Sequence, residues 1–480
     1  MKRMALTLVM LAAGCSMAPK YVQPVAPVPA SWPVGDAYLA QSEAALPRLS
    51  YRDIFTDGRL QQIVEQALVN NRDIRIAAAN IATARAQYRI NRANILPEIA
   101  ASAGYTYSES NNAGGSTGGT GFSSSGSRYT ADLGTTAFEL DLFGRLRSLS
   151  DAALQRYFAT EAAARATRLT LVGDIADAWL TYAADQSLLA IARDTVISAE
   201  RSVRLTRMRL EGGIAPRTDL RQAEQILATA RADVALQTTA LAQDVNALQL
   251  LVGAPVDPAL LPQSMEDAAA GVRALPAGLD SGILLRRPDV VQAEYELRAA
   301  NAEIGAARAA LFPRISLTGL ASLASTALSS LFTGGAFSWS AGADASYSIF
   351  SAGGLRAGLA QSKAQRDAAL ATYEKAIQSA FRDVADGLAR RGTIADQLAA
   401  NRAQAEAAAD SYRLTDARYR GGIDSFLASL DAQRSLYSAQ RGYVGTQLVG
   451  ASNLVSLYRA LGGDMLLSAD GASSADAVRP

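Results

Sequence analysis

Four stretches of the chain alternate between apolar or small residues at odd-numbered positions and small or polar residues at even-numbered positions, within 99–107, 129–135, 315–323 and 337–349. A period of two indicates β-strands with two different faces. The strands are long enough to cross a bilayer at a tilt, which takes about 9–11 residues, whereas strands of a soluble sandwich, the alternative, are nearer 5–6. An open sheet cannot lie in lipid and four strands cannot close, so the sequence predicts a barrel shared between chains.

Two β-hairpins are therefore predicted, over 98–142 and 314–350, with uncharged tips rich in glycine and serine. Two copies of the chain would supply eight strands, and three copies twelve, enough to leave a lumen. Aromatic residues near the strand ends fit the girdle of a membrane interface. These aromatic residues are Tyr105, Tyr107, Tyr129, Phe337, Trp339 and Tyr347.

The composition excludes several classes of function. The 480 residues carry a net charge of +1, which argues against a nucleic-acid-binding protein. The chain has no histidine and one cysteine, so it lacks the usual ligands for zinc, copper and haem and the commonest general base. We therefore predict that the protein is not an enzyme and has no cofactor or metal site.

The only cysteine follows a short export signal. Residues 1–14 combine a basic start, an apolar run and the small residues Ala12, Ala13 and Gly14, which is typical of a signal peptide. Cys15 directly afterwards resembles a bacterial lipoprotein site, so we expect N-acyl and S-diacylglycerol groups on its amine and sulfur. The alternative is an ordinary signal peptide with an incidental cysteine. Residues 15–56 are rich in proline near their start and are predicted to form the anchor and an extended tether.

Two halves of the chain resemble each other. The octapeptide at 92–99 recurs at 308–315 with Leu96-Pro97 matching Phe312-Pro313, and the hexapeptide at 209–214 recurs at 418–423 around a Gly-Gly-Ile triplet. The order of these matches predicts an internal twofold repeat, with copies at 57–253 and 288–461. Residues 254–287 join the copies, and 462–480 form a tail.

Each copy is predicted to contain a helix, a β-hairpin and a long helical hairpin. The first helix runs from about Asp57 to Ile95, and its counterpart begins at Pro288. The long helices, at 148–211 and about 355–420, contain no proline and would each span roughly 96 Å. They reverse at 212–219 and 421–428, and none has an apolar run that could cross a membrane. The predicted fold class is an α+β membrane protein with coiled-coil hairpins.

Together these motifs resemble the outer-membrane channels of tripartite efflux pumps, of the TolC/OprM type. Further motifs that carry the resemblance are Asp-Leu-Phe-Gly-Arg-Leu-Arg at 141–147, the segment 275–290, and Arg-Tyr-Arg-Gly-Gly-Ile-Asp-Ser at 418–425. The resemblance implies a lipid-anchored homotrimer in the outer membrane of a Gram-negative bacterium. It also implies a 12-stranded barrel, a 12-helix periplasmic barrel and an equatorial region that includes 254–287. The implied partners are a periplasmic membrane-fusion adaptor and an inner-membrane transporter of the RND type.

The resemblance also implies a periplasmic gate at the helical turns. It places an acidic constriction at Asp424 and Asp431, and Arg217 and Asp219 occupy the matching part of the first turn. For Asp424 the alternative is a helix N-cap. We hypothesise that three arginines pair across the hairpins and close the gate: Arg209, Arg418 and Arg420. The adaptor would contact the tips, at Gly212, Gly213, Ile214, Gly421, Gly422, Ile423 and Ser425.

The sequence therefore favours a passive exit duct for drugs, metals or other small molecules. Two alternatives remain open at this point: a duct for type I protein secretion, and a structural coiled-coil lipoprotein that spans the periplasm without transport. An enzyme would need a nucleophile–base pair, which the sequence does not suggest.

Overall fold

The computed structural model describes residues 16–38, 50–111, 123–273 and 281–463. The predicted signal peptide, Cys15, most of the first hairpin tip and the tail beyond residue 463 lie outside the described residues. The described chain divides into two compact units. The first contains 16–24, 81–160 and 293–373, and the second contains 25–80, 161–292 and 374–463, apart from the gaps given above.

A four-stranded antiparallel sheet lies in the first unit. Its strands are β1 (Ala100–Asn111), β2 (Ser123–Glu139), β3 (Arg314–Ser325) and β4 (Phe337–Ser346), and they pair in chain order. The register places Tyr105 opposite Tyr129 and Leu323 opposite Phe337, so the odd-numbered apolar residues share one face. Polar residues share the other face, where Asp132 lies opposite Ser322. The predicted two-faced sheet is thus present.

The strands differ from the prediction at two ends. The register of β2 shifts between Thr135 and Phe138, and Ala137 adopts a φ of 55° while its N–H donates to Thr318 Oγ1 over 3.2 Å. This β-bulge moves Phe138 onto the apolar face, so β2 continues to Glu139 where the odd-numbered alternation stops. The predicted alternation to residue 349 is too long, since β4 ends at Ser346 and Tyr347 lies just beyond it.

The described chain also contains nine α-helices. They are α1 (Tyr51–Ile54), α2 (Gly58–Asn70), α3 (Arg72–Ala93), α4 (Arg145–Glu211), α5 (Arg217–Val252), α6 (Met265–Ala270), α7 (Pro288–Ala309), α8 (Gly354–Arg420) and α9 (Phe426–Ala460). Short 3₁₀ turns occur at Pro258–Leu260, Ser281–Arg286 and Leu328–Ser330. Both α4 and α8 have 67 residues, and both α3 and α7 have 22. Among the described helices, none combines the length and apolarity of a membrane span.

The predicted single helix from Asp57 to Ile95 is wrong, because the chain breaks at Asn71. The backbone of Asn71 is extended, with a ψ of 140°. Its side-chain Oδ1 accepts the N–H groups of Asp73 and Ile74, at 2.7 and 3.0 Å, and so caps α3. Its Nδ2 donates to the carbonyl of Leu251, at 2.7 Å, close to the end of α5. A buried asparagine thus satisfies groups of two helix ends at once.

Arg287 makes the matching contact in the second half of the chain. Its Nη1 donates to the carbonyl of Ala460, the last residue of α9, at 2.9 Å. The same guanidinium pairs with Asp289 at the start of α7, at 2.8 Å, and lies 3.4 Å from Asp383 of α8. The residue numbers 71 and 287 differ by 216, the offset between the matching octapeptides at 92–99 and 308–315. The two accepting carbonyls differ by 209, the offset between the matching hexapeptides at 209–214 and 418–423.

The segment after residue 16 is packed along α7 within the first unit. Asn301 Nδ2 donates to the carbonyl of Pro19 at 2.7 Å, and Arg308 Nη1 donates to that of Met17 at 3.0 Å. A Cβ at Gly305 would lie 2.7 Å from the nitrogen of Ala18, so only glycine permits this approach. Residues 16–24 form no helix or strand, and this part of the predicted tether contacts the folded chain closely.

Replacement of Asn71 by alanine tests the double cap. We expect Asn71→Ala to lower the free energy of unfolding by about 2 kcal/mol, because it removes the N-cap of α3 and leaves a carbonyl of α5 without its donor. Chemical denaturation followed by circular dichroism measures this change. Asn91→Ala is the matched control, since the Asn91 amide donates only to Gln87 within the same helix. Equal stability of the two variants would contradict the proposed role of Asn71.

Candidate functional site

The two long helical hairpins of the second unit reverse at pairs of glycines. At the end of α4, Gly213 has a φ of 73°, and the N–H of Ile214 donates back to the carbonyl of Arg209 at 2.9 Å. At the end of α8, Gly422 has a φ of 76°, and Ile423 bonds back to Arg418 at 2.9 Å. Glycine takes this left-handed conformation without strain, and the bonds satisfy the last carbonyls of each helix. Both turns therefore have the same backbone geometry.

The turns expose apolar side chains to solvent. Ile214 is 77% exposed and Ile423 is 68% exposed, and each follows its glycine pair. Ser425 precedes α9 as its N-cap residue, yet its side chain makes no capping hydrogen bond. These predicted adaptor-binding residues are thus on the surface of the chain. Their role in binding stays a prediction.

A small apolar cluster connects the four helices just above the turns. Tyr419 of α8 and Phe426 of α9 are 4% exposed, with ring centroids 5.3 Å apart. The buried members of the cluster are Val203, Leu220, Ala223, Tyr419, Phe426 and Leu430. The Tyr419 hydroxyl is buried without a hydrogen-bond partner among the described residues, and burial raises the pKa of Tyr419. Tyr419 was not singled out from the sequence, although Leu210 occupies the matching position in the first half.

Arg209 connects the first hairpin to the second. Its Nη2 donates to the backbone carbonyls of Tyr419 and Arg420, at 2.9 and 3.2 Å. Its guanidinium carbon lies 4.4 Å from the centroid of the Tyr419 ring, a cation–π distance. The accepting carbonyls belong to the last turn of α8, the negative end of a helix dipole. The hypothesis that Arg209 acts across the hairpins agrees with this contact, but the acceptors are carbonyls and not carboxylates.

The other two arginines of the predicted gate pair within the second hairpin. Arg418 forms a two-pronged ion pair with Asp424, at 2.7 and 2.9 Å, across the Gly-Gly turn. Arg420 pairs with Asp416 one turn earlier in α8, at 2.6 Å. The prediction that Arg418 and Arg420 pair across the hairpins is therefore wrong for the described chain. Each of these arginines binds a carboxylate in its own hairpin.

Asp424 has a different local role from the N-cap considered above. Ser425 occupies the N-cap position of α9, and the Asp424 carboxylate bonds to Arg418 instead. The hydrogen bond from Arg418 holds the pKa of Asp424 below its ordinary value. Because the folded-state pKa is lowered, the ion pair is complete above the ordinary carboxyl pKa and is lost only as the pH falls through the lowered value.

The remaining predicted gate residues lie apart. Arg217 and Asp219 are in the first turn of α5; Arg217 is exposed, while Asp219 is half-buried and burial raises its pKa. Asp431 is exposed on α9, seven residues after Asp424. A single chain therefore does not bring the acidic residues together, so the predicted rings depend on neighbouring copies.

Further polar contacts join the hairpins above the cluster. Gln433 Nε2 donates to Ser198 Oγ at 2.8 Å, and the Tyr437 hydroxyl donates to Asp233 at 2.6 Å. Burial and the neighbouring Asp233 raise the pKa of Tyr437 to about 12, so the hydroxyl remains a donor at physiological pH. Gln433 and Tyr437 line a cavity of about 100 Å³. None of these contacts was expected from the sequence, because each joins residues more than 200 positions apart.

The predicted girdle residues lie mainly on the apolar face of the sheet. Tyr105 is 58% exposed and its ring centroid lies 4.9 Å from that of Tyr129 in the next strand. Tyr107, Phe337 and Trp339 are also exposed on this face. Among the described residues, no group of histidine, cysteine, aspartate or glutamate has the arrangement of a metal site.

A sheet with one exposed apolar face and one polar face, together with long helical hairpins, defines the class of outer-membrane channel proteins. Comparison with known proteins agrees. The model of the family described as outer membrane efflux protein matches residues 63–254 and 280–463. The chain belongs to this outer membrane efflux protein family, a family of channels and not of enzymes, and it functions in the outer membrane as part of an efflux pump.

Individual relatives cover almost the whole chain. The antibiotic efflux pump outer membrane protein ArpC of Pseudomonas putida is 45% identical over 452 residues, 94% of this chain and 93% of the relative. The toluene efflux pump outer membrane protein TtgC of Pseudomonas putida has the same identity and coverage. The open state of the Neisseria gonorrhoeae outer membrane channel MtrE is 35% identical with a TM-score of 0.82, covering 94% of this chain and 99% of that one.

Removal of the Arg209 side chain tests the contact between the hairpins. A hydrogen bond to a charged group contributes about 1.5–3 kcal/mol, and about 1.4 kcal/mol is a tenfold change in an equilibrium constant. We therefore expect Arg209→Ala to raise the population of separated hairpins at least about tenfold. Single-channel recording in planar bilayers measures this as more frequent opening. Arg413→Ala is the matched control, since Arg413 pairs with Asp410 in its own helix and makes no contact across the hairpins in the described chain. Equal opening of both variants would contradict the prediction.

Proposed function

We propose that three copies of this chain form the exit duct of a tripartite efflux pump, with a 12-stranded barrel in the outer membrane. The observation that carries the proposal is the four-stranded sheet, whose outer strands β1 and β4 each have an edge with no neighbouring strand among the described residues. Unpaired edges are not tolerated in lipid, and four strands do not close. Pairing β4 of one copy with β1 of the next satisfies both edges and turns the polar face toward a lumen.

We further infer that the chain consists of two copies of one unit. The equal lengths of α4 and α8, and of α3 and α7, support this inference. The matching contacts of Asn71 and Arg287 with the ends of α5 and α9 support it independently. Three chains then contribute six similar helical hairpins to a 12-helix barrel in the periplasm. The two hairpins of one chain therefore occupy equivalent positions in this ring.

The pump partners and the lipid anchor belong to the same proposal. A periplasmic membrane-fusion adaptor contacts the exposed turn residues, among them Ile214 and Ile423, and an inner-membrane transporter of the RND type supplies the energy. Cys15 carries the lipid. Residues 16–23 support this anchor, because Met17, near their start, is bonded to Arg308 at the end of α7 that leads into β3.

The transported molecules are drugs and organic solvents. The names of the relatives, which specify antibiotics and toluene, support this class of cargo. The polar face of the sheet bears few charges and many hydroxyl groups, among them those of Ser102, Thr130 and Ser322. Such a surface passes molecules of different shape without binding any of them tightly. The duct itself performs no chemistry.

Complementation of a deletion strain tests the function. Cells that lack the gene should accumulate a fluorescent drug and become sensitive to antibiotics and toluene, and a plasmid copy should restore both phenotypes. A copy lacking residues 100–139, which removes half of the sheet, is the control for expression of a chain without the barrel. If no tested compound accumulates differently, the assignment to drug and solvent efflux is wrong.

Asp424 tests the gate. We expect Asp424→Ala to raise single-channel conductance, because the variant frees Arg418 and removes three carboxylates from the periplasmic end of a trimer. Asp410→Ala removes a carboxylate that pairs within α8 and serves as the control. Conductance unchanged from the wild type in the Asp424 variant would overturn the gate role of this residue.

A further inference from the structure

Two carboxyl groups meet within the first helical hairpin. The side-chain carboxyl groups of Asp185 in α4 and Asp244 in α5 lie within hydrogen-bonding reach of each other. Oδ2 of Asp244 is buried and has no hydrogen-bond partner among the described residues. Burial and the neighbouring Asp185 raise the pKa of Asp244 to about 6. Two carboxylates this close cannot both be charged at low cost, so the pair requires a proton or a cation.

In the second hairpin, a partly buried arginine lacks a hydrogen-bond acceptor. Nε of Arg391 in α8 is buried without a hydrogen-bond partner in the described part of the chain. Burial lowers the pKa of Arg391, and among the described residues no carboxylate offsets this effect. A guanidinium offers five donors and is always charged, so an unpaired one under partial burial is unfavourable.

The two features lie in different hairpins, the carboxyl pair in the first and Arg391 in the second. Above the turns, α4 packs against α9: Ser198 bonds to Gln433 at 2.8 Å, and Asp174 pairs with Arg459 at 2.6 Å. Nearer the turns α5 also contacts α9, because the Tyr437 hydroxyl donates to Asp233 at 2.6 Å. Leu236 and Leu250 of α5 are 59% and 79% exposed, which leaves an apolar strip of α5 uncovered in the single chain. In a ring of hairpins, a second copy of this chain covers such a strip.

The internal repeat gives the register of the contact between copies. An offset of 209 residues relates α4 to α8 and α5 to α9, so the contact of α4 with α9 inside a chain corresponds to a contact of α8 with α5 of the next copy. Between the two observed bonds of the inner contact, Tyr182 lies level with Gly450. The same offset places Arg391 level with Leu241 of the next copy, which is one helical turn from Asp244.

We propose that Arg391 of each copy binds the Asp185–Asp244 carboxyl pair of the next copy, at three equivalent sites around the helical barrel. The proposal rests on the trimer and the repeat proposed above, and it assigns the partner of the surface as a second copy of this chain. The guanidinium donates to the free Oδ2 of Asp244 and neutralises the carboxyl pair. Each buried group then has the partner that the described residues of one chain do not provide.

A cycle of charge reversals tests this contact. Arg391→Glu and Asp244→Arg should each lower the temperature at which the purified trimer dissociates in SDS, and the double variant should recover most of the loss. Arg390→Glu combined with Asp244→Arg is the matched control, because Arg390 is the exposed neighbour on a different face of α8. The control pair should show no recovery. Losses that merely add in the Arg391 pair would overturn the proposal.

A second measurement does not depend on the stability of the reversed variants. Cysteines at positions 391 and 244 should be joined between chains by a short bis-maleimide and give dimer and trimer bands, whereas cysteines at 390 and 244 should not. Absence of these bands from an intact, transport-active trimer would overturn the contact alone. If light scattering finds the wild-type protein in detergent to be monomeric, the proposed function fails as well, so the two failures are distinguishable.

Discussion

The need of every backbone N–H and carbonyl group for a hydrogen-bond partner governs both the sheet and the helices of this protein. In hydrocarbon, each unpaired N–H or carbonyl group costs several kcal/mol, about the size of a large mutational effect. The sheet meets this demand internally between its four strands but leaves the outer edges of β1 and β4 for another strand. The alternation of apolar and polar residues in all four strands is consistent with that environment, since each face meets a single kind of medium.

The same demand explains the polar side chains that lie between helices. A helix ends with carbonyls that have no partner in its own backbone. Asn71 supplies a donor near the end of α5, Arg287 supplies one at the end of α9, and Arg209 supplies two bonds at the end of α8. Each of these donors comes from a distant part of the sequence. These hydrogen bonds connect the helix ends, in addition to the apolar core that the long helices bury, for example at Trp179 and Tyr458.

Local patterns were sufficient to predict the elements that depend on local physics. The period of two located the strands, and the Gly-Gly pairs located the turns at which α4 and α8 end. The break at Asn71 was missed because its second partner, Leu251, is 180 residues away. The ion pair of Arg418 with Asp424 was missed, since the sequence does not show that a turn brings these two residues together. Tyr419 was missed because a buried tyrosine beside two arginines looks like any residue of a charged helix end.

The contact of Arg209 also determines which stimuli can act on it. A backbone carbonyl does not titrate, and a guanidinium keeps its charge at any physiological pH. Acid can therefore weaken the Arg418–Asp424 pair but has no group to protonate in the Arg209 contact. A change in salt also has little effect on a bond to a neutral acceptor. The Arg209 contact is thus insensitive to pH and salt, and a displacement of the helices themselves is what breaks it.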